Sequence, residues 1–265
     1  MSSTKLDFKK IEVLGAKFNL LKEEDLIDEI QKVILTPKKK TPFKIANHNL
    51  HGIFYFHHDE AYKEYSKSAD FCLIDSTPLV WFARFTGKSS VYRLHRNTPL
   101  DYVIKLLNKL SDKEMGKVFV LGGSPSSNTF GVDNWKKLFP KVQIQGLHGF
   151  FDWEKESDSV INKINLFEPD LLIVCLGMPL QEKWALLFGS KVKAKVILTA
   201  GGLIDYYSKK TVIPPRWIGR LGFEWFFRFV CDPKRLFFRY FIEPWFLMPY
   251  IYKDIVEFIQ KLKKK

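Results

Sequence analysis

A carboxylate that could act in catalysis follows one of the apolar runs of this chain. Asp75 comes directly after residues 69–74 and just before the helix start at Thr77-Pro78. In that position it can serve as a general base that accepts a proton from a hydroxyl group. It can equally cap the helix that follows. Position alone leaves both interpretations open.

Two asparagines end an earlier apolar run, and their amide groups could hold a sugar or the edge of a base. These residues, Asn47 and Asn49, could equally form ordinary Asx-turns in a loop. The neighbouring histidines do not follow a metal-binding motif. They are His48, His51, His57 and His58.

A glycine pair, Gly122 and Gly123, follows the apolar run 117–121. A glycine turn between a strand and a helix allows backbone N–H groups to approach a phosphate. The sequence is neither GxGxxG nor a P-loop, so a plain tight turn is the alternative interpretation.

Two further polar residues occupy equivalent positions later in the chain. Gln181 begins a helical pattern after the run 170–176, and Asp205 follows the run 195–199. Ligands of open α/β sheets bind outside the carboxyl ends of the strands. We therefore expect Asn49, Asp75, Gln181 and Asp205 to converge on one edge of a sheet.

The elements that must position these residues alternate between strands and helices, which predicts βαβ units and a mainly parallel sheet. Strands are predicted at 43–46, 69–74, 117–121, 142–146, 170–176 and 195–199. Helices are predicted at 23–35, 52–67, 78–86, 99–110, 155–167 and 180–188.

Residues 206–265 differ in composition from the rest of the chain. They hold 17 of the 41 aromatic residues, and 13 Lys or Arg against 5 Asp or Glu. Proline-broken helices are expected at 217–230, 234–243 and 245–264. The segment could be a packing cap, but the interleaved aromatic and basic residues favour contact with a membrane surface. Nucleic-acid binding is not expected, because no recognised motif accompanies these residues.

The overall composition excludes a disordered chain and a small disulfide-stapled scaffold. The chain has 265 residues, is 46% hydrophobic and carries a formal charge of +13, which favours a polyanionic partner. The three cysteines form no CxxC pair, and the N-terminal residues show no apolar signal segment. No uncharged apolar run reaches the ~18 residues of a membrane span. A cytoplasmic protein is therefore expected.

Motifs along nearly the whole chain carry a family resemblance. They are Asn47-His-Asn49, Ala69-Asp70 with Asp75-Ser76, Leu121-Gly-Gly-Ser-Pro125, Leu176-Gly-Met-Pro-Leu-Gln-Glu-Lys-Trp184, Gly201-Gly-Leu-Ile-Asp205, Glu224-Trp225-x-x-Arg228 and Pro233-x-Arg235. In this order they resemble the motifs of the WecG/TagA/CpsF bacterial glycosyltransferases. Asn47 replaces a threonine of the family pattern, and Ser76 replaces a glycine.

The resemblance implies an inverting, metal-independent transfer of a sugar from a UDP-sugar to a hydroxyl of a polyprenyl-diphosphate-linked saccharide, in surface polysaccharide synthesis. The sugar would be an N-acetylhexosamine or a related hexose or uronic acid. No cofactor is implied.

The resemblance also implies roles for individual residues. Asp75 matches the base, and Asn49, Gln181 and Asp205 match residues that hold the nucleotide-sugar. Asn47 takes the place of a threonine that contacts substrate, and Gly122 and Gly123 match a glycine turn at the substrate. Arg93 matches a substrate-binding arginine, with Arg96 as the alternative. Arginines placed over the diphosphate would correspond to Arg228, Arg235 and Arg239.

The resemblance further implies a Rossmann-like α/β fold with helices on both faces of the sheet. The catalytic core would span 1–205, and an appendage at 206–265 would close the site and contact the inner face of the cell membrane. A homo-oligomer is left open. The alternative is a non-catalytic, membrane-associated protein that binds a nucleotide-sugar.

Overall fold

A six-stranded parallel sheet forms the centre of the computed structural model, which describes residues 8–264. A separate antiparallel hairpin precedes it, formed by β1 (Lys10–Val13) and β2 (Ala16–Asn19). The sheet order is β4-β3-β8-β7-β5-β6. Its strands are β3 (Phe43–His48), β4 (Phe71–Ile74), β5 (Lys117–Gly122), β6 (Gln143–Leu147), β7 (Leu171–Cys175) and β8 (Val196–Thr199). The predicted Rossmann-like α/β class is confirmed.

Within residues 8–264, nine α-helices accompany these strands. They are α1 (Glu23–Leu35), α2 (Leu50–His58), α3 (Glu60–Ser68), α4 (Thr77–Phe85), α5 (Pro99–Asp112), α6 (Pro125–Leu138), α7 (Trp153–Phe167), α8 (Leu180–Phe188) and α9 (Leu203–Tyr207). The hairpin, α2, α3, α4, α7 and α8 pack on one face of the sheet, and α1, α5, α6 and α9 pack on the other.

The sheet is buried on both faces, which explains its continuous apolar strands. Every residue of β4, β7 and β8 is buried. Removing that apolar surface from water stabilises the fold by roughly 25 cal/mol per Å². The rigid sheet then fixes the positions at which its carboxyl-end loops begin.

The helix expected at 52–67 is two helices, because Asp59 ends one and caps the next. Its side chain accepts a hydrogen bond from the backbone N–H of Tyr62 at 3.0 Å. A second difference is the hairpin, which was not predicted as strands. It turns through Leu14 and Gly15, both at positive φ.

After α9 the chain forms a series of short helices and one long one. They are α10 (Arg216–Leu221), α11 (Glu224–Cys231), α12 (Pro233–Phe237), a π-helical turn (Phe238–Ile242), α13 (Glu243–Phe246) and α14 (Met248–Lys263). Gly222, at φ 86°, separates α10 from α11 inside the helix expected at 217–230. Among residues 8–264, no helix has both the length and the apolar character needed to cross a bilayer.

The last helix is anchored to the hairpin side of the core. Tyr250 stacks on His57 with ring centroids 3.4 Å apart. The Asp254 carboxylate accepts hydrogen bonds from the Leu14 N–H and from Lys88, each at 3.1 Å. Leu247 is buried in the same cluster. The C-terminal helices are therefore held against the core over part of their length.

Candidate active site

The site is built around Asp75, which follows the carboxyl end of β4. Its backbone N–H donates to the His48 carbonyl of β3 at 2.7 Å, which fixes its position beside the neighbouring strand. Burial raises the pKa of Asp75 to about 7, although the positive charges of Arg96 and Arg228 oppose that shift. A carboxyl group with such a pKa suits proton transfer near neutral pH.

Arg96 reaches this site because its segment runs beside β4. The backbone N–H of Asn97 donates to the Ile74 carbonyl at 2.8 Å, and Arg96 forms a parallel bridge with Ile74. The Arg96 guanidinium donates to Thr77 Oγ1 and to the Glu224 carboxylate, each at 3.0 Å. Arg93 is exposed and donates to the Gly219 carbonyl at 3.3 Å. Of the two arginines, Arg96 therefore faces Asp75.

Glu224 joins the core to the C-terminal helices. It accepts from Arg96 and, with its other oxygen, from Arg228 at 2.7 Å. Burial opposes ionisation, but the charges of Arg228 and Arg96 hold the pKa of Glu224 below its usual range. The Arg228 guanidinium also lies over the Tyr206 ring at 5.5 Å. This network places Arg228 among the charges that act on Asp75.

The other two arginines of the C-terminal helices have different surroundings. Burial lowers the pKa of Arg239, whose charge also acts on Asp75. Arg235 lies 68% exposed and donates from Nε to Asp232 at 2.5 Å. The structure therefore places Arg239 near the Asp75 site and gives Arg235 a carboxylate partner at the surface.

The two asparagines at the end of β3 have separate environments. Asn47 is 2% exposed, donates to the Thr199 carbonyl of β8 at 2.8 Å, and accepts from the Tyr102 hydroxyl at 3.2 Å. Its amide therefore joins two strands beneath the site. Asn49 caps α2 by accepting from the Gly52 N–H at 3.1 Å. The Asn49 side chain is only partly buried.

Gln181 belongs to a buried chain of polar groups. It is 1% exposed, accepts from the Gly201 N–H at 2.8 Å and donates to Glu182 at 2.7 Å. Burial raises the pKa of Glu182 to about 8, so this carboxyl group is protonated at neutral pH. Gln181 thus sets the position of the Gly201 loop.

Open space lies beside each of the two loops that follow β7 and β8. A Cβ atom added at Gly177 or at Gly201 would meet no atom within 4 Å. Asp205 lies just beyond, and its Oδ1 atom is buried without a hydrogen-bond partner among the described residues. The Nε atoms of Arg228 and Arg239 are also buried without a hydrogen-bond partner among the described residues. Such uncommitted polar atoms are uncommon in folded proteins and call for an explanation such as a ligand.

The glycine turn after β5 has a clear packing role. A Cβ atom at Gly122 would lie 2.2 Å from the Cys175 backbone, and Gly122 has φ 133°. The Gly123 N–H donates to the Cys175 carbonyl at 3.2 Å. These contacts occupy the Gly123 N–H group and require glycine where β5 meets β7.

The described residues contain no group of three or more His, Cys, Asp or Glu side chains arranged to hold a metal ion. His48 is fully buried beside Tyr62, and burial lowers its pKa to about 3. His51 Nδ1 forms a hydrogen bond with Glu243 Oε2 at 2.6 Å.

A cavity of 480 Å³ lies at the opposite edge of the sheet, where the strands begin. Several of its lysines are already paired with carboxylates. The pairs are Lys141 with Glu114 at 2.7 Å, Lys193 with Glu168 at 3.5 Å and Lys195 with Asp170 at 2.9 Å. Ligands of open α/β sheets bind at the carboxyl edge instead, so we assign the site to the Asp75 side.

Glu182, Glu224 and the His51–Glu243 pair were not among the residues singled out from the sequence. Glu182 and Glu224 do stand inside the motifs that carry the resemblance, next to Gln181 and Trp225. Their sequence signal was therefore present. The His51–Glu243 contact joins residues 192 positions apart and leaves no local signature.

Comparison with known proteins identifies the family. Residues 11–260 match the Glycosyl transferase WecG/TagA/CpsF family. Two Staphylococcus aureus proteins, both called N-acetylglucosaminyldiphosphoundecaprenol N-acetyl-beta-D-mannosaminyltransferase, are similar to this chain. The one from strain MRSA252 is 24% identical over 227 residues, covering 86% of this chain and 87% of the relative. The one from strain NCTC 8325 is 23% identical over the same shares. The chain belongs to the WecG/TagA/CpsF family of glycosyltransferases.

Proposed function

We propose that this glycosyltransferase moves a sugar from a UDP-sugar to a hydroxyl of a polyprenyl-diphosphate-linked saccharide, with inversion and without a metal ion. The observation that carries the proposal is the carboxyl group of Asp75, half-buried at the carboxyl edge of the sheet, on which the charges of three arginines act. The names of the Staphylococcus aureus relatives support an acceptor of this chemical class.

Asp75 acts as the general base in this proposal. Its carboxylate takes the proton of the acceptor hydroxyl as that oxygen forms a bond to the anomeric carbon. The bond from the anomeric carbon to the UDP oxygen breaks on the opposite face, and UDP leaves with the electron pair. Because attack and departure occur on opposite faces, a single displacement inverts the anomeric centre.

Arginines neutralise the leaving diphosphate. Arg228 and Arg239 lie close enough to act electrostatically on Asp75, and guanidinium groups form strong, charge-assisted hydrogen bonds with phosphates. Arg235 is assigned the same task, which requires it to leave Asp232. Charge stabilisation by fixed donors can replace a metal ion in such a step.

The nucleotide-sugar occupies the open space after β7 and β8. Gln181 holds the Gly201 loop, and Asp205 and Asn49 offer polar groups at the rim. Asn47 supports this edge from beneath, and Gly122 with Gly123 brings β5 close to β7. Arg93, which is exposed near Gly219, is assigned to the acceptor. The donated sugar is an N-acetylhexosamine or a related hexose or uronic acid.

The C-terminal helices, from α10 to α14, form an appendage that contacts the inner face of the cell membrane. Several of their aromatic side chains are exposed, including Trp217, Phe226, Phe237 and Trp245. Basic residues follow at the end of α14. Aromatic residues enter the headgroup region while lysines and arginines meet anionic lipids. Trp217→Ala combined with Trp245→Ala should therefore reduce flotation with anionic liposomes, and equal flotation of the variant and wild-type chains would contradict this role.

The test of the proposed function is UDP release from UDP-sugars, with and without a diphospholipid-linked acceptor. We expect release that depends on the acceptor and persists when EDTA is added. Loss with EDTA that Mg²⁺ restores would contradict metal independence. UDP-sugar binding with no transfer from any UDP-sugar to any lipid-linked saccharide would indicate the non-catalytic alternative.

A further inference from the structure

A second cavity, of 230 Å³, lies beside the Asp75 loop, between α4 and the turn that follows it. It is lined by Thr77, Val80, Trp81, Arg84, Arg93 and Arg96. The four residues of α4 are spaced i, i+3, i+4 and i+7, so they share one face of the helix. The cavity therefore runs along α4 and begins two residues beyond Asp75.

Two of its arginines have no carboxylate partner among the described residues. Arg84 donates to the Val91 carbonyl at 3.1 Å and lies 5.2 Å over the Tyr92 ring. Arg93 donates to the Gly219 carbonyl at 3.3 Å. A guanidinium has five N–H donors, and neutral carbonyl partners leave its charge uncompensated. The cavity is therefore suited to an anion with several oxygens.

The length of the cavity relates this anion site to Asp75. Thr77 and Arg84 are seven residues apart on a helix that rises 1.5 Å per residue, so they are about 10 Å apart along the axis. Asp75 stands at the Thr77 end. In a sugar linked through its anomeric carbon to a diphosphate, a remote hydroxyl and the phosphates lie at opposite ends of the ring. A ligand of this kind can reach from Asp75 to Arg84.

One lining residue of the cavity, Trp81, and the chain neighbours of two others, Phe85 and Leu94, are large, apolar and exposed. Trp81 is 54% exposed and Leu94 is 48% exposed. Phe85, one residue beyond Arg84 on α4, is 67% exposed. Large apolar side chains grouped at a surface mark a contact with an apolar partner. An anion whose far side carries a hydrocarbon chain matches this combination of arginines and exposed apolar side chains.

We propose that this cavity is the acceptor subsite, in which Arg84 and Arg93 bind the diphosphate of the lipid-linked saccharide. The sugar then lies along α4 with its hydroxyl at Asp75, and the first part of the polyprenyl chain lies on Trp81, Phe85 and Leu94. The inference rests on the proposed function. It separates two diphosphates, that of the acceptor beside α4 and that of UDP beside Arg228 and Arg239.

Steady-state kinetics with a short-chain lipid-linked acceptor test this subsite. Arg84→Ala and Arg93→Ala should each raise the acceptor KM by about tenfold, which corresponds to about 1.4 kcal/mol. The KM for the UDP-sugar should stay within about twofold of wild type, because neither arginine is proposed to contact the donor. Loss of a charged contact to the donor would raise that KM by more than twofold. Arg84→Lys keeps the charge but loses the paired donors, so we expect an intermediate acceptor KM. Lys137→Ala is the matched control, since Lys137 is an exposed cation on α6, and it should change neither KM.

A soluble polyprenyl diphosphate, farnesyl diphosphate, provides an independent readout. We expect it to compete with the acceptor and not with the UDP-sugar, and to bind Arg84→Ala and Arg93→Ala about tenfold more weakly than wild type. An unchanged acceptor KM in both variants, or an equal rise in the donor KM, would overturn the subsite while transfer itself remained. Absence of transfer in the wild-type enzyme would instead contradict the proposed function. Thermal unfolding of each variant shows whether a change reflects lost folding.

Discussion

The two edges of the sheet both collect charged side chains, yet they differ in how those charges are used. At the strand starts, Lys141 and Lys195 pair with carboxylates near the surface, across a 480 Å³ cavity. At the strand ends, the half-buried Asp75 lies among the charges of Arg96, Arg228 and Arg239, and several buried polar atoms have no hydrogen-bond partner among residues 8–264. If the proposed site is right, the density of charge alone does not mark it. What distinguishes the strand ends is a partly desolvated carboxyl group that faces arginine charges.

The largest effect should come from removing the base at the carboxyl edge. Asp75→Asn keeps the shape of the side chain but cannot accept the hydroxyl proton. We expect transfer to fall roughly 100- to 10,000-fold, while UDP binding measured by calorimetry stays within about twofold of wild type. Near-normal turnover by Asp75→Asn, in an assay free of wild-type enzyme, would show that Asp75 is not the general base.

A smaller loss should follow from removing one arginine of the same edge. Arg228→Ala deletes a charge that is proposed to neutralise the leaving UDP, so we expect turnover to fall about 10- to 100-fold. Arg235→Ala should cost less, because the Arg235 guanidinium is exposed and paired with Asp232. Kinetics with a soluble short-chain acceptor measure both variants without a membrane. Equal, wild-type turnover would mean that the C-terminal helices only pack on the core.

The buried Glu182 predicts an effect on stability rather than on chemistry. Burial raises its pKa from 4.5 to about 8, so the folded state holds a proton that the unfolded state releases. Stability should therefore fall as pH rises between about 4.5 and 8. Glu182→Gln removes this contribution, and its Tm should fall less steeply over that range. The raised pKa of Asp75 also makes stability fall as pH rises, below about pH 7. The quantity to compare is therefore the difference in Tm between wild type and Glu182→Gln at each pH. Parallel Tm curves would contradict a protonated Glu182.

The smallest effect is expected at the opposite edge. Lys141→Ala removes one member of a surface ion pair, and such pairs contribute about 0–1 kcal/mol to stability. Turnover and both KM values should stay within about twofold of wild type. A tenfold loss of activity would show that the amino edge takes part in function.

The sequence predicted the sheet better than it predicted the orientation of individual side chains. All six strands of the parallel sheet lie where short, continuous apolar runs predict them. A sheet that is covered on both faces requires such continuous runs. The hairpin was missed because its strands have four residues each and its burial alternates incompletely. The split of the 52–67 helix depends on a single cap at Asp59.

At the site, spacing placed residues at the carboxyl edge of the sheet but did not reveal their contacts. Asn47 and Gln181 are examples, since both side chains point into the protein and form hydrogen bonds with its backbone. The choice between Arg93 and Arg96 required the bridge beside β4 and the contact with Glu224, which is 128 residues away. Contacts of that range leave no periodic trace in a single sequence.

The most direct test of the central claim is the pH dependence of kcat/KM, which reports the pKa values of the free enzyme, for the wild-type enzyme and for Asp75→Asn. The base must be ionised to act, and burial raises the pKa of Asp75 to about 7. The wild-type rate should therefore rise tenfold per pH unit below that value and level off above it. The residual rate of Asp75→Asn should lack this rise. A wild-type rate that is flat from pH 5 to 8, or the same rise in both proteins, would contradict the assignment of Asp75 as the base.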